Sequence, residues 1–340
     1  MNSRQVLAIL IALVVIEAIA LGYMVLVNSQ LADKLSEVQG EYQKLLEKYH
    51  MLTVREFPIT LTDRSGKIVV IASEPRRIVS LSPAITEILF ALGLGDRVVG
   101  VTAYCNYPLD VEEMKKGKRL SVIGGYWDPN LEAIVALNPD LVIGDSLVPS
   151  HLDVAERLRT LNITVLLTGS KLIEDVFYDI NLIGKATGRF REAQELVAKL
   201  EARIKVVVQK VANLPRAKVY YELWFSPLFS AGPGTFIDQL IFYAGGKNIF
   251  HDAKVPWPVV SDEDVIARNP DVIILPDTYM SDYNVSIDSI KARPGWSVIS
   301  AIKNNRVYFI EEDIIVRPGP RLVEALEIIA RYLHPEAFRG

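Results

Sequence analysis

The sequence predicts an α/β fold with two α/β lobes related by an internal repeat, and three observations carry that prediction. A block at residues 130–143 recurs at 261–274, short β-branched runs alternate with helical stretches, and a long charged helix separates two sets of strands. A chain of 340 residues is also longer than one hydrophobic core usually serves. The expected parts are a transmembrane anchor (1–28), a helical stalk (29–53), an N-terminal lobe (54–172), one long bridging helix region (173–214) and a C-terminal lobe (215–340).

The anchor prediction is based on residues 6–27, VLAILIALVVIEAIALGYMVLV, which contain one charge, Glu17. At about 1.5 Å per residue, a helix of this length spans roughly 30 Å of hydrocarbon. Arg4 on the short side keeps the N-terminus inside and exports the rest, which predicts a single-pass membrane protein with its globular part outside the cytoplasm. A cleaved signal peptide ending near Ala20 is the alternative.

The stalk prediction is based on apolar residues spaced three and four apart between Leu31 and Leu52. This spacing predicts a helix with a coiled-coil period, which Gly40 interrupts. Both a dimerising stalk and a single spacer helix fit the pattern.

The lobes are predicted from short apolar runs. Residues 58–71 predict a β-hairpin that turns at Arg64–Gly66. Further strands are expected at 77–81, 98–101, 141–144, 165–168, 218–223, 272–275 and 306–310. A charged stretch at about 190–213, without internal Gly or Pro, predicts the helix that bridges the lobes.

The repeat pairs NLEAIVALNPDLVI with SDEDVIARNPDVII without gaps. It places Glu132 on Glu263 and Tyr126 on Trp257. Each glutamate falls near the first turn of a predicted helix, where the helix dipole alone would favour a carboxylate. Two matched exposed charges would equally suit a cationic partner with two-fold symmetry, so both interpretations stay open.

Composition excludes several function classes. The 37 basic and 41 acidic side chains give a net charge of −4, which leaves no cationic surplus for a nucleic-acid partner. A single cysteine, Cys105, excludes an intramolecular disulfide, and four scattered histidines disfavour a metal site. No cofactor is expected.

A ligand cleft is predicted from aromatic residues in connecting segments, beside Pro, Gly, Asp or Asn. These residues are Tyr104, Tyr107, Tyr126, Trp127, Trp224, Phe225 and Trp257. Ser82, followed by Pro83, predicts a helix N-terminus at the carboxyl edge of a sheet, where ligands are usually received. Core packing is the competing explanation for such rings.

A hydrolase is a remote alternative, because Gly144–Leu147 spell the GDSL block of a family of esterases. Those enzymes need an aspartate three residues before a catalytic histidine. None of the four histidines has one, so Ser146 lacks a base and we expect no enzyme.

From about Arg76 to Arg321 the chain resembles the substrate-binding proteins of ABC importers for vitamin B12 and iron chelates, and it is most similar to the cobalamin-binding branch. The similar stretches are RRIVSLSPAITEILFALGLGDRVVGVTAYCNYP, NLEAIVALNPDLVI, AGPGTFIDQLIFYAGGKNIF and VPWPVVSDEDVI. The resemblance implies two lobes joined by one long helix, with limited closure. It also implies a permease dimer with ATPase subunits as partner.

The resemblance assigns roles to residues of this sequence. Tyr104 or Tyr107, Tyr126 and Trp257 would form the aromatic cleft, and Asp313 and Arg317 would line it. Glu132 and Glu263 would dock on arginines of the permease. Because the lining is mainly aromatic, with Arg317 the chief cation, cobalamin or a related corrinoid suits it better than haem or a ferric siderophore, which remain the alternative cargo.

Overall fold

The computed structural model describes residues 57–338 throughout, together with Leu31, Lys34 and residues 38–42. These stalk residues are helical and exposed, and the rest of the predicted stalk lies outside the described residues. The predicted anchor at 6–27 also lies outside them. In the part of the chain that is described, no helix has the length and apolarity needed to span a bilayer.

The chain divides into a unit at Met1–Glu56 and a unit at Phe57–Gly340. The second unit opens with the predicted hairpin, in which β1 (Ile59–Thr62) pairs antiparallel with β2 (Ile68–Ile71). Asp63 stabilises the turn, because its Oδ1 accepts the N–H groups of Ser65 and Lys67. Gly66 has a φ of 82°, which glycine adopts without strain.

The N-terminal lobe has a parallel sheet in the order β5-β4-β3-β6-β7. Its strands are β3 (Ile78–Ser80), β4 (Val98–Val101), β5 (Ser121–Val122), β6 (Leu141–Asp145) and β7 (Val165–Thr168). Helices α1 (Pro83–Ala91), α2 (Asp110–Lys116), α3 (Leu131–Ala136) and α4 (Pro149–Thr160) connect them. Strands β3, β6 and β7 are buried along their whole length, as expected for a parallel sheet covered on both faces.

Two helices, α5 (Ile173–Thr187) and α6 (Phe190–Val211), follow β7 and pack against each other. Helix α5 contacts α1 and β1, whereas α6 contacts helices of the C-terminal lobe. A Cβ at Gly184 would lie 2.4 Å from the Cβ of Ala193, so this close approach requires glycine. Helix α6 matches the long helix predicted at about 190–213, and Gly188 in the left-handed conformation ends α5 just before it.

The C-terminal lobe has a parallel sheet in the order β10-β8-β11-β12. Its strands are β8 (Ala217–Phe225), β9 (Leu228–Ser230), β10 (Gly246–Asn248), β11 (Val272–Pro276) and β12 (Val307–Ile310), and β9 is antiparallel to the end of β8. The helices are α7 (Phe236–Tyr243), α8 (Asp262–Arg268), α9 (Thr278–Tyr283), α10 (Ile287–Lys291), α11 (Ser300–Lys303), α12 (Glu312–Val316) and α13 (Leu322–Leu333). Helix α13 packs on both α6 and α7.

The sequence repeat is also a structural repeat. The strand order β4-β3-β6-β7 of one lobe corresponds to β10-β8-β11-β12 of the other. Asn138 and Asn269 follow α3 and α8 with φ values of 49° and 46°. Asp140 and Asp271 each accept a backbone N–H from the chain entering the first strand of their lobe. The prediction of two related α/β lobes is confirmed.

Candidate functional site

The predicted site residues follow the carboxyl ends of strands in both sheets. Ser82 lies two residues after β3, and Tyr104 and Tyr126 follow β4 and β5. In the other lobe, Trp224 and Phe225 end β8, and Asp313 and Arg317 follow β12. Open α/β sheets receive ligands at this edge. The topology thus places each of these residues at the carboxyl edge of its own sheet.

A buried carboxylate ties the two lobes together. Arg321 of the C-terminal lobe donates from Nε to Oε2 of Glu87 at 3.0 Å and from Nη2 to Oε1 at 2.8 Å. Arg317 donates from Nη1 to the same Oε1 at 3.2 Å. Glu87 lies on α1, so one carboxylate holds two guanidinium groups across the lobe boundary. Burial lowers the pKa of Arg321, but the carboxylate contacts raise it by more. Arg321 therefore stays a cation.

The same cluster includes two further residues, one from each lobe. Asn106 donates from Nδ2 to Asp313 at 2.7 Å and accepts at Oδ1 from Arg317 at 2.7 Å. Arg317 also pairs with Asp313 at 2.5 Å. We call Glu87, Asn106, Asp313, Arg317 and Arg321 the junction cluster.

Two predicted rings lie against the junction cluster. The backbone carbonyl of Tyr104 accepts from Arg317 Nη2 at 3.1 Å. The guanidinium of Arg321 lies over the ring of Tyr107, 4.1 Å from its centroid. The structure therefore brings Tyr104, Tyr107, Asp313 and Arg317 together. The charge of Arg317 is shared between two carboxylates, so it is not a free cation.

Tyr126 is held by a buried histidine. His151 Nε2 donates to the carbonyl of Tyr126 at 2.7 Å, and its Nδ1 accepts the N–H of Asp145 at 3.0 Å. Both contacts fit only the neutral Nε2–H tautomer, and burial lowers the pKa of His151 accordingly. The hydroxyl of Tyr126 donates to Asp145 Oδ2 at 3.4 Å.

Trp127 lies edge-on to Tyr126, with ring centroids 4.6 Å apart, and is 67% exposed. Tyr126 is only partly exposed and has a second ring contact, with His151 at 5.1 Å. The two neighbouring rings therefore differ in kind: Tyr126 is fixed in place and Trp127 is mostly solvated.

The rings of the C-terminal lobe form a separate group. Trp224 lies 5.0 Å from Phe225 and 5.3 Å from Tyr283 between ring centroids, and Phe225 lies 5.2 Å from Tyr279. Tyr279 and Tyr283 are on α9 and were not expected from the sequence; their spacing of four residues on one helix was the available signal.

Trp257 is 42% exposed and stacks on no other ring within residues 57–338. Its neighbours fix the backbone, because the carbonyls of Pro256 and Pro258 accept N–H groups from Gly232 and Ser230 at 2.7 and 3.0 Å. The structure thus positions Trp257 firmly while leaving its ring accessible.

The matched glutamates lie at equivalent positions. Glu132 is in the first turn of α3, which Asn130 caps by accepting the N–H of Ala133 at 2.8 Å. Glu263 is in the first turn of α8, which Ser261 caps. Both glutamates are exposed.

Comparison with known proteins then identifies the fold. Residues 78–314 match the family model of the periplasmic binding proteins. This chain belongs to that family. The predicted membership is confirmed, and since the family binds solutes, the chain is a binding protein and not an enzyme.

Two relatives are similar to this periplasmic binding protein over most of its length. An uncharacterized ABC transporter substrate-binding lipoprotein of Bacillus subtilis is 34% identical, covering 83% of this chain and 88% of the relative. A cobalamin-binding protein of Halobacterium salinarum is 31% identical, covering 82% and 74%.

Two similar solved structures differ in the ligand that their names state. The periplasmic vitamin B12-binding protein of Vibrio cholerae has a TM-score of 0.65 at 28% identity, covering 78% of this chain and 99% of the other. The periplasmic heme-binding protein of Roseiflexus has a TM-score of 0.68 at 29% identity, covering 77% and 99%.

The esterase alternative has no support in this periplasmic binding protein. His151 is five residues from Ser146, but both of its ring nitrogens are engaged with backbone groups, so it is not available as a base. Cys105 is buried between Thr86 and Thr102, and burial raises the pKa of its thiol. Among the described residues no group of three or more His, Cys, Asp or Glu side chains could hold a metal.

Sequence reasoning missed the polar residues that connect the elements, above all Glu87, Arg321, Asp145 and Asp179. Glu87 carried a usable signal, because it interrupts an otherwise apolar helix and a buried charge needs a partner. The partner itself is 234 residues away.

Proposed function

We propose that this chain captures cobalamin or a related corrinoid between its lobes and delivers it to an ABC importer. At the coarser level, it is the substrate-binding protein of an ABC importer for B12, haem or iron chelates. Relatives whose names state vitamin B12 or cobalamin binding support the finer assignment, and relatives that bind haem keep that cargo as the alternative.

The observation that supports the corrinoid assignment best is that the two arginines beside the predicted aromatic residues are both paired with carboxylates. Arg317 and Arg321 follow β12 and both are paired with carboxylates: Glu87 for both, Asp313 for Arg317 and Glu311 for Arg321. Haem and ferric catecholates carry negative charge and favour free cations. A bulky, largely uncharged, amide-decorated corrinoid suits the accessible rings of Tyr104, Tyr126, Trp127 and Trp257 better.

The available area is sufficient for useful affinity. Three rings that each bury roughly 150–250 Å² contribute on the order of 11–19 kcal/mol at about 25 cal/mol/Å². Association costs of about 4–15 kcal/mol offset much of this, and a net of about 8–12 kcal/mol, which corresponds to micromolar to nanomolar affinity, lies within the resulting range.

The test is calorimetric titration of the full chain in detergent with cyanocobalamin and, separately, with haemin. We expect a dissociation constant below about 10 μM for cyanocobalamin and weaker binding of haemin. Tyr126→Ala and Trp257→Ala should each weaken binding by about tenfold or more, because each removes a large apolar contact.

The matched control is Phe242→Ala, which removes an exposed ring of α7 that stacks on Arg216. This variant should bind as the unmodified chain does. Cyanocobalamin binding weaker than about 10 μM, or tight binding of haemin alone, would count against a corrinoid.

We also propose that Glu132 and Glu263 dock on cations of a two-fold permease. Their equivalent exposed positions in the two lobes support this role. The double variant Glu132→Ala/Glu263→Ala should bind cyanocobalamin normally and abolish its uptake by cells. Asp153→Ala/Glu195→Ala removes the same charge from exposed positions on α4 and α6 and should leave uptake unchanged. Normal uptake by the first variant contradicts docking.

We propose, finally, that residues 6–27 anchor the chain in the membrane with the lobes outside the cytoplasm. The apolar run, with Glu17 as its one charge, supports this placement. After alkaline carbonate washing, the full chain should stay with the membrane fraction and a chain lacking residues 1–28 should not. Release of both forms would contradict the anchor.

A further inference from the structure

Helix α8, which carries the proposed docking residue Glu263, is held at both ends by residues that follow α10. At its N-terminus, Asp262 Oδ1 accepts a hydrogen bond from the indole N–H of Trp296 at 2.7 Å. At its C-terminus, Asn269 Oδ1 accepts the backbone N–H of Ser300 at 2.7 Å. Because α8 has only seven residues, these two contacts restrain most of its length.

The middle of α8 also lies close to this part of the chain. Gly295 has a φ of 78°, and a Cβ at this position would lie 2.9 Å from the Cδ1 of Ile266 on α8. The turn that follows, Trp296–Val298, packs against the helix. Close packing along the helix leaves α8 little freedom to tilt.

Trp296 is fixed on its other side by a buried ion pair. Its side chain is fully buried, and the guanidinium of Arg293 lies over the indole ring, 4.6 Å from the centroid. Arg293 donates from Nη1 and Nη2 to the two carboxylate oxygens of Glu222 at 2.6 and 2.7 Å. Glu222 is on β8, and its side chain is fully buried. The indole N–H that reaches Asp262 is therefore held in place relative to the sheet.

The matched helix of the N-terminal lobe begins with a different contact. Leu131 occupies the position on α3 that Asp262 occupies on α8, and it packs against an apolar cluster of its lobe. Apolar packing is non-directional, whereas a hydrogen bond constrains both distance and angle. The contact with Trp296 thus gives α8 a directional restraint that Leu131 cannot give α3.

We propose that Asp262 and Trp296 are positioning residues, which hold the first turn of α8 so that Glu263 meets a cation of the permease in one orientation. This proposal rests on the proposed docking function and deepens it. Asp262 directly precedes Glu263, so a displacement of its backbone also moves the glutamate. A glutamate whose backbone is fixed before contact loses less conformational freedom on docking, which favours the complex.

The test measures cyanocobalamin uptake by cells as a function of the amount of the full chain in their membrane. Trp296→Phe keeps an aromatic ring beneath Arg293 but removes the indole N–H. This variant should need about tenfold more chain for half-maximal uptake, as for the loss of one hydrogen bond of typical strength, and it should reach the same maximal rate.

Two substitutions at Asp262 separate the hydrogen bond from the charge. Asp262→Asn and Asp262→Leu remove the same charge, but only asparagine keeps an Oδ1 that can accept the indole N–H. We expect Asp262→Asn to support uptake as the unmodified chain does and Asp262→Leu to behave as Trp296→Phe does. Equal uptake by the two Asp262 variants would overturn the proposal.

A second comparison separates positioning from general support of the fold. In a Glu263→Ala chain, which still has Glu132, the further change Trp296→Phe should have no effect, because no carboxylate is left to position. A tenfold effect of Trp296→Phe with and without Glu263 would show that Trp296 only supports the fold. Calorimetric titration should give the same dissociation constant for cyanocobalamin with every variant, and weaker binding by Trp296→Phe would place its effect in the cleft instead.

The outcomes also distinguish this proposal from the function on which it rests. If the unmodified chain supports no cyanocobalamin uptake, or if Glu263→Ala leaves uptake unchanged, the proposed function fails and the positioning role fails with it. If Glu263→Ala impairs uptake whereas Trp296→Phe and Asp262→Leu do not, only the positioning role fails. Circular dichroism identifies a variant that does not fold, and the variant at the other end of the hydrogen bond then decides.

Discussion

Glu87→Gln should weaken the connection between the lobes. The side chains of Glu87, Arg321 and Arg317 are only 2%, 9% and 11% exposed. Removing one partner of a buried ion pair costs about 3–5 kcal/mol, because the remaining charge is left without compensation. Arg317 keeps Asp313 and Arg321 keeps Glu311, so we expect the lower end, about 3 kcal/mol. For a folded unit of this size, about 2 °C per kcal/mol gives a fall in Tm of about 6 °C.

Scanning calorimetry of the full chain measures this shift, and small-angle scattering measures whether the lobes separate in the absence of cargo. The matched control is Glu156→Gln, which removes an exposed carboxylate that pairs with Lys67 and Arg159 inside one lobe. Exposed ion pairs contribute little, so the control should unfold as the unmodified chain does. A Glu87→Gln chain with unchanged Tm and unchanged radius of gyration would refute the idea that the junction cluster ties the lobes.

Two further predictions concern buried polar groups. Burial raises the pKa of Asp179 from 3.8 to about 6. Between pH 3.8 and pH 6 the folded chain therefore binds more protons than the unfolded chain. As the pH rises through this range, the free energy of unfolding falls by about 3 kcal/mol. Asp179→Asn should therefore raise Tm at pH 7.5 and lose that gain near pH 4; an equal Tm at pH 7.5 contradicts this. His151→Leu leaves the Asp145 N–H and the Tyr126 carbonyl without partners, which should lower the free energy of unfolding by about 2–4 kcal/mol in urea and weaken cyanocobalamin binding. An unchanged urea midpoint would show that His151 does not hold the Tyr126 segment.

The sequence was most informative where the cause of structure is local. Buried parallel strands are continuous β-branched runs, and the predicted strands at 98–101 and 165–168 match β4 and β7. Strands β5 and β10 were missed, since they have two and three residues and exist only because neighbouring strands pair with them.

The candidate site also divides into features with local causes and features that depend on distant residues. Accessible rings beside proline and glycine could be found from the sequence, and Trp257 is one of them. The carboxylates could not be found in the same way, because Glu87 is paired with Arg321, 234 residues later, and Asp179 on α5 accepts hydrogen bonds from Gly169 and Ser170 in the loop after β7. Long-range polar contacts leave no periodicity in a single sequence.

The contact between the lobes also affects how empty and loaded binders compete for the importer. Packed helices and a buried Glu87–Arg321 contact hold the lobes in one arrangement. If that contact survives the binding of cargo, an empty binder has nearly the same outline as a loaded one. Vacant copies would then occupy the importer almost as well as filled ones, so uptake should pass through a maximum and decline as the ratio of binder to importer increases.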